Sequence, residues 1–345
     1  MTTSRRNFLK SATGSLVVGA APSLFTSAAH AQDLKATSVA LTWITNVEYA
    51  GLWIAIDKGY FRDERLDVKH IPGGPNAPVP LVTVAAAKAE IGYANWLPFI
   101  DAVGKGNDFV LIGHTFPVSP LGILSLAAKP IRKPADLVGA KILAQGPTER
   151  AGVEAVLALN KQPKNVQFVP AGFSPEPLLS KQGDGYTAFA TNQAITLENM
   201  GLVRDKDFFF ASFDELGFHT FASGLFTTRQ MLQKDRARVV AFMRGLTRGW
   251  LENEKDPTFA PKLVMTKFGV DLGLNPKQQA RQNEVQVAMT HNPKAPTRRV
   301  LELDPVTLSG PMYEAATATG RTNLPPVAQI ADFTVMEEVY KTIRR

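Results

Sequence analysis

Trp43, Asn46 and Tyr49 stand where an apolar run gives way to a polar turn and then to a helical stripe. An indole or phenol face can stack on a flat ring, gaining roughly 0.5–1.5 kcal/mol beyond area burial. A carboxamide both donates and accepts, so it can read a ring edge. Asn95-Trp96 repeats the amide–aromatic pairing at a second strand end. Gly146-Pro147-Thr148 opens a helix, and free amides with a hydroxyl at such a place can hold a carboxylate, sulfonate or phosphate. Tyr186 and the Asn192-Gln193 pair form a third set, and the Gln193 amide suits a ring with mixed carbonyl and N–H edges. Phe116 and Phe218-His219 fall at two crossings of the chain, where they can close a cleft. These positions, Pro147 excepted, are the thirteen expected ligand-binding residues.

Catalytic patterns are missing from the same sequence. It has no cysteine, which excludes disulfides, thiolate metal sites and cysteine nucleophiles. There is no G-x-S-x-G elbow, no Walker A loop and no H-E-x-x-H, and His70, His114 and His291 are scattered. A binding protein is therefore expected rather than an enzyme, with no metal and no cofactor.

The elements that must position these residues alternate between strand and helix, the pattern of an α/β protein with mainly parallel sheets. Val39 to Trp43 reads as a strand. Tyr49, Leu52, Trp53, Ile56 and Tyr60 then recur at helical spacing, with Asn46 as N-cap and Gly59 as the stop. Leu66 to Ile71, Ala89 to Asn95 and Phe109 to His114 read as strands. Thr115 to Pro120 reads as an extended linker because of its two prolines. Leu121 to Leu126 begins a second unit, which continues through a helix at 150–159, a strand at 186–191 and a helix at 192–200. His219 to Thr228 returns to the first unit, and Val239, Phe242, Met243, Leu246 and Trp250 mark a long helix from Arg229. This predicts a discontinuous first lobe, 33–116 plus 226–345, and a second lobe, 117–225, hinged around a cleft. Ligands of open α/β sheets sit outside the carboxyl ends of the strands, where the candidate residues fall.

Ala50 to Val68, AGLWIAIDKGYFRDERLDV, resembles the signature AGxYxAxxxGYFxxxGLDV of periplasmic solute-binding proteins of ABC importers. The similarity is greatest to the subfamily related to thiamine-pyrimidine synthase, which also resembles sulfonate- and nitrate-binding proteins. Pro134 to Ile142, PADLVGAKI, is similar to the turn that opens the second lobe of such proteins. The resemblance implies a type II binding-protein fold with two lobes joined by two crossings, and an ABC permease as partner. It implies a cleft position for Trp43 and Asn46, and an anion-holding role for the turn at Gly146 and Thr148. The chain departs from the pattern in two places. Glu48-Tyr49 stands where a histidine is common, and Gln193 stands where pyrimidine-precursor binders carry an acid. The fungal synthases carry a cysteine-rich motif that is missing here.

The 345 residues suffice for two domains at about 150 residues each. The net charge is +7, of which Arg5, Arg6 and Lys10 supply three, and the rest is spread along the chain. No basic patch argues for nucleic acid. Ser4 to Lys10, SRRNFLK, matches the twin-arginine export pattern, and Ala29-His30-Ala31 fits a cleavage site. The apolar run Leu16 to Phe25 is too short to span a bilayer of about 30 Å. A periplasmic monomer, cleaved after Ala31, is expected to capture a small aromatic or heterocyclic nutrient such as a thiamine pyrimidine precursor or a flavin. The alternatives are a sulfonate- or nitrate-type anion binder, an enzyme on the same scaffold, and a receptor feeding a sensor.

Overall fold

In a computed structural model, the described residues are 34–343 without 294, 296 and 297. The expected export segment, with Arg5, Arg6 and the expected cleavage point after Ala31, lies outside them. Among the described residues no helix is long and apolar enough to cross a membrane.

The described residues build two sheets from the strands β1 Lys35–Ala40, β2 Leu66–Ile71, β3 Ile91–Ala94, β4 Phe109–Phe116, β5 Leu121–Leu126, β6 Lys141–Ala144, β7 Gln167–Pro170, β8 Gly185–Phe189, β9 Phe208–Ser212 and β10 Ala222–Thr228. The first sheet has the order β2-β1-β3-β10-β4 and the second β7-β6-β8-β5-β9. Each is mixed, which corrects the expectation of mainly parallel sheets. β1 runs parallel to β2 and β3, but β10 is antiparallel to β3 and β4. Likewise β6 is parallel to β7 and β8, and β5 is antiparallel to β8 and β9. The two reversed strands are those that receive the chain from the other sheet. Ala222 opens β10 opposite Phe116, the last residue of β4, and Leu121 opens β5 opposite Phe189, the last of β8. A strand entering where its neighbours end must run against them.

β4 also continues two residues beyond the expected His114, because Thr115 and Phe116 keep their backbone N–H groups and only Pro117 lacks one. The prolines therefore bracket a shorter crossing, Pro117 to Pro120. The expected continuous helix after Asn46 is divided. A 3-10 turn, Val47–Tyr49, leads into α1, Ala50–Asp57, and Gly59 breaks the chain at φ +76 before α2, Tyr60–Asp63. The Asn46 carboxamide caps the turn, accepting the Glu48 N–H at 3.0 Å.

The remaining helices that bear on the site are α3 Pro80–Ala85, α4 Trp96–Gly104, α5 Pro147–Leu159, α6 Glu176–Leu179, α7 Gln193–Asn199, α8 Arg229–Lys255, α9 Phe259–Leu263 and α10 Pro276–Met289. The α8 stripe Val239, Phe242, Met243, Leu246 and Trp250 is buried in the core of the first sheet. Close approach of α8 to α1 requires glycine on both sides. A Cβ on Gly51 would lie 2.4 Å from the Trp250 ring, and one on Gly249 would lie 1.9 Å from the Gly51 carbonyl oxygen. That seam fixes α1, and with it the turn that precedes it.

Candidate functional site

A cavity of about 240 Å³ lies between the two sheets, at the carboxyl ends of the parallel strands and the amino ends of β5 and β10. From the first sheet it receives Thr42 and Trp43 beyond β1, Asn46 and Glu48 on the turn before α1, Asn95 between β3 and α4, and Phe116 at the end of β4. The second sheet contributes Gln145 beyond β6, Glu149 from α5, Phe173 beyond β7, and the segment from Phe189 to Gln193. Ser223 of β10 and Gln282 of α10 complete the wall.

Trp43 meets Phe173 edge to face across the cavity, with ring centroids 5.1 Å apart at 63°. One ring comes from each sheet, and buried tyrosines hold both. The Tyr49 hydroxyl accepts the Trp43 N–H at 2.8 Å and bonds the Thr42 hydroxyl at 2.8 Å. The Tyr186 hydroxyl donates to the Gly172 carbonyl at 2.6 Å, one residue before Phe173. Gln193 secures the same loop, donating to the Phe173 carbonyl at 3.4 Å while its Oε1 accepts the Phe189 N–H at 2.9 Å.

Six expected residues line the cavity: Trp43, Asn46, Asn95, Phe116, Asn192 and Gln193. Asn95 accepts the Ser223 N–H through Oδ1 at 3.1 Å, and Asn46 accepts the Glu48 N–H, which leaves both NH2 groups without a protein acceptor among the described residues. Gln193 lines the wall with one hydrogen bond at each end of its amide, which leaves one N–H and one lone pair beyond those bonds. Asn192 faces the cavity while its main-chain oxygen accepts from Gln278 at 3.0 Å.

The other seven are outside the wall. Tyr49 and Tyr186 lie behind it, as described. Trp96 is in the core, its Nε1 donating to the Met312 carbonyl at 2.7 Å and its ring against Phe221. Phe218 packs on Phe213, and His219 pairs through Nδ1 with Asp214. Aromatic rings near strand ends fill the core as readily as a cleft, which is why the sequence did not separate them. Gly146 and Thr148 open α5 without reaching the cavity. Pro147 has no N–H, and the Glu149 Oε2 lies 3.1 Å from where a Gly146 Cβ would sit. The helix's own carboxylate thus lies beside the turn that was expected to hold an anion.

The charge of the wall is one-sided. Glu48 and Glu149 line it, and among the described residues no Lys, Arg or His does. The Glu48 Oε1 accepts the Ser223 hydroxyl at 3.0 Å. Burial pushes the Glu48 carboxyl up to about 7, and the Ser223 bond offsets part of that rise. Glu48 was legible in principle, since Asn46 caps the turn and Val47 is apolar, so alternate side chains share a face. Phe173 sits in a proline-rich loop with no period, and Gln282 sits on a helix that reads as solvated.

The family model described as NMT1/THI5-like matches residues 46–260. The formylaminopyrimidine-binding protein of Halalkalibacterium halodurans is 32% identical over 111 residues, which are 31% of this chain and 32% of that protein. The match thus spans about a third of the curated relative's length. Among solved structures, a putative periplasmic sulfonate-binding protein from Methylobacillus flagellatus has a TM-score of 0.64 at 17% identity, covering 90% of this chain and 94% of that one. The desulfurization enzyme DszB has a TM-score of 0.59 at 13% identity, covering 89% and 100%. At such identities these likenesses show the fold, the two-lobed α/β fold of periplasmic binding proteins.

Proposed function

The chain belongs to the NMT1/THI5-like family, and on that premise we propose that it is the solute-binding component of an ABC importer for a small amino-substituted heterocycle of the aminopyrimidine class. The observation that carries this reading is the composition of the wall, four aromatic residues (Trp43, Phe116, Phe173 and Phe189) and two carboxyl groups with no cation among the described residues. A sulfonate or nitrate would meet Glu48 and Glu149 without a counter-charge. A flat ring would lie against Trp43 and Phe173, with its edge toward Glu48 and the NH2 groups of Asn46 and Asn95. The volume supports one ring, since sites for drug-sized ligands run to about 300–1,000 Å³.

Glu48 has the chemistry for such an edge. An aminopyrimidine presents a ring nitrogen that accepts beside an amino group that donates. An ionised carboxylate only accepts, whereas a protonated carboxyl donates once and accepts once. A carboxyl that titrates near neutrality can therefore hold the proton that this pairing needs. The partial match to a formylaminopyrimidine-binding protein supports the same class.

In this reading the described residues of 34–116 plus 222–343 form one lobe and 117–221 the other, and the boundary expected at 225/226 moves to 221/222 because all of β10 lies in the first sheet. They close on the ligand about the crossings at Pro117 to Pro120 and before Ala222. The mature protein is a periplasmic monomer that delivers its ligand to a membrane permease. The test is calorimetry against 4-amino-2-methylpyrimidine, its formylamino derivative, riboflavin, ethanesulfonate and nitrate, with the incubated ligands checked for turnover. Binding confined to ethanesulfonate or nitrate overturns the ligand class, and turnover overturns the assignment as a carrier.

A further inference from the structure

Helix α10 turns Gln279, Gln282, Asn283 and Gln286 inward, at the spacing i, i+3, i+4, i+7 where a helix ordinarily presents its apolar stripe. All four are buried, with exposures of 3%, 4%, 0% and 0%. Buried amides destabilise a fold unless they are paired, so their partners show what the stripe does. Asn283 exchanges hydrogen bonds with Asn253 of α8 at 2.8 and 3.1 Å, and this anchors α10 to the first sheet's core. The Gln279 Oε1 accepts the Val47 N–H at 2.9 Å, and the Gln286 Nε2 donates to the Val47 carbonyl at 2.7 Å. Val47 is thereby held at both its backbone groups. It is fully buried, and Asn46 and Glu48 on either side of it line the cavity. Between the two clamping residues stands Gln282. It lines the cavity, and its carboxamide makes no hydrogen bond to any described residue.

Resting on the reading of the cavity as an aminopyrimidine site, we propose that α10 is its specificity element. Gln282 hydrogen-bonds the bound ring directly, and Gln279 and Gln286 are positioning residues that hold Val47 and so aim Asn46 and Glu48. The free carboxamide supplies one more donor and acceptor toward a ring substituent. The clamp explains how a three-residue turn and its N-cap residue can carry two ligand-facing side chains without a regular helix to stiffen them.

The experiment has two arms. In the first, 4-amino-2-methylpyrimidine is titrated into wild type and Gln282→Met. Loss of one ligand hydrogen bond should weaken binding about tenfold with thermal stability unchanged. Equal affinities overturn the Gln282 role and leave the ligand class standing. Failure of wild type to bind overturns the ligand class and the Gln282 role together. The second arm needs no ligand. Amide hydrogen exchange at Val47 is compared in wild type, Gln279→Met, Gln279→Glu and the control Val339→Ala, a buried position on the helix Thr334–Thr342 that makes no hydrogen bond to the turn. The Met variant should speed Val47 exchange about tenfold or more relative to the control, and the Glu variant, which keeps an acceptor oxygen, should restore protection. If the Met variant does not fold, Gln286→Met gives the same comparison from the donor side. Val47 exchange that merely follows global stability overturns the positioning role.

Discussion

The substitution Glu48→Gln should make the empty protein more stable at alkaline pH while keeping its ligand. The carboxyl rises from its ordinary 4.5 to about 7 because burial disfavours its charge. The folded state therefore holds a proton that the unfolded chain has already released between those two values. Stability must fall as pH rises through that window, by up to about 1.4 kcal/mol per pH unit. Summed over the window, the deficit is roughly 3 kcal/mol, and it is fully present above pH 7. Glu48 is half-buried and water reaches the cavity, so screening makes this an upper bound. The glutamine variant would carry no charge here at any pH, so it should gain most at about pH 8 and little at about pH 5. Its amide also offers both a donor and an acceptor, so it should still pair with an aminopyrimidine. Wild-type affinity should decline about tenfold per pH unit above 7, as the pair must take up a proton, and the variant's affinity should be flat. Urea unfolding and calorimetry in buffers of different ionisation enthalpy read these effects. Parallel stability profiles for the two proteins would show that Glu48 titrates normally. Proton release on binding, rather than uptake, would refute the neutral pairing.

Trp43→Ala should weaken aminopyrimidine binding by roughly 2 kcal/mol or more, the scale of an aromatic anchor, and unchanged affinity by calorimetry would exclude stacking. Ligand should reduce the radius of gyration in solution scattering if the lobes close about the two crossings. Saturation without a change in scattering argues against a mobile hinge. Replacing Arg5 and Arg6 together by Lys should leave uncleaved precursor in the cytoplasm, and normal accumulation of a processed periplasmic form would refute the twin-arginine route.

The elements were legible where side-chain periodicity carries the information. The stripe from Val239 to Trp250 became α8, and the apolar runs at Leu66 to Ile71 and Leu121 to Leu126 became β2 and β5 with those bounds. The direction of a strand leaves no such mark. β5 and β10 are largely buried and read like their parallel neighbours, yet they run the other way because the chain enters each from the opposite sheet. Composition could not show this, since entry point is a property of the topology.

The site divides along a similar line. Trp43, Asn46 and Asn95 were legible because a strand–helix turn delivers its residues to the sheet's carboxyl edge whatever the details. Tyr49 and Tyr186 have the same sequence credentials but their hydroxyl groups point to backbone, where they hold the loops of Trp43 and Phe173. Gln193 shares that role in part, since its amide bonds the Phe173 carbonyl and the Phe189 N–H while lining the cavity. Gln193 is no acid, so under the proposed aminopyrimidine reading the acid comes from elsewhere in the wall. On the proposed reading Glu48 supplies it from the opposite lobe. The carboxyl's rise follows from that location, because burial on the capped turn disfavours its charge and the Ser223 hydroxyl offsets only part of that rise, with no lysine or arginine in the cavity's described lining.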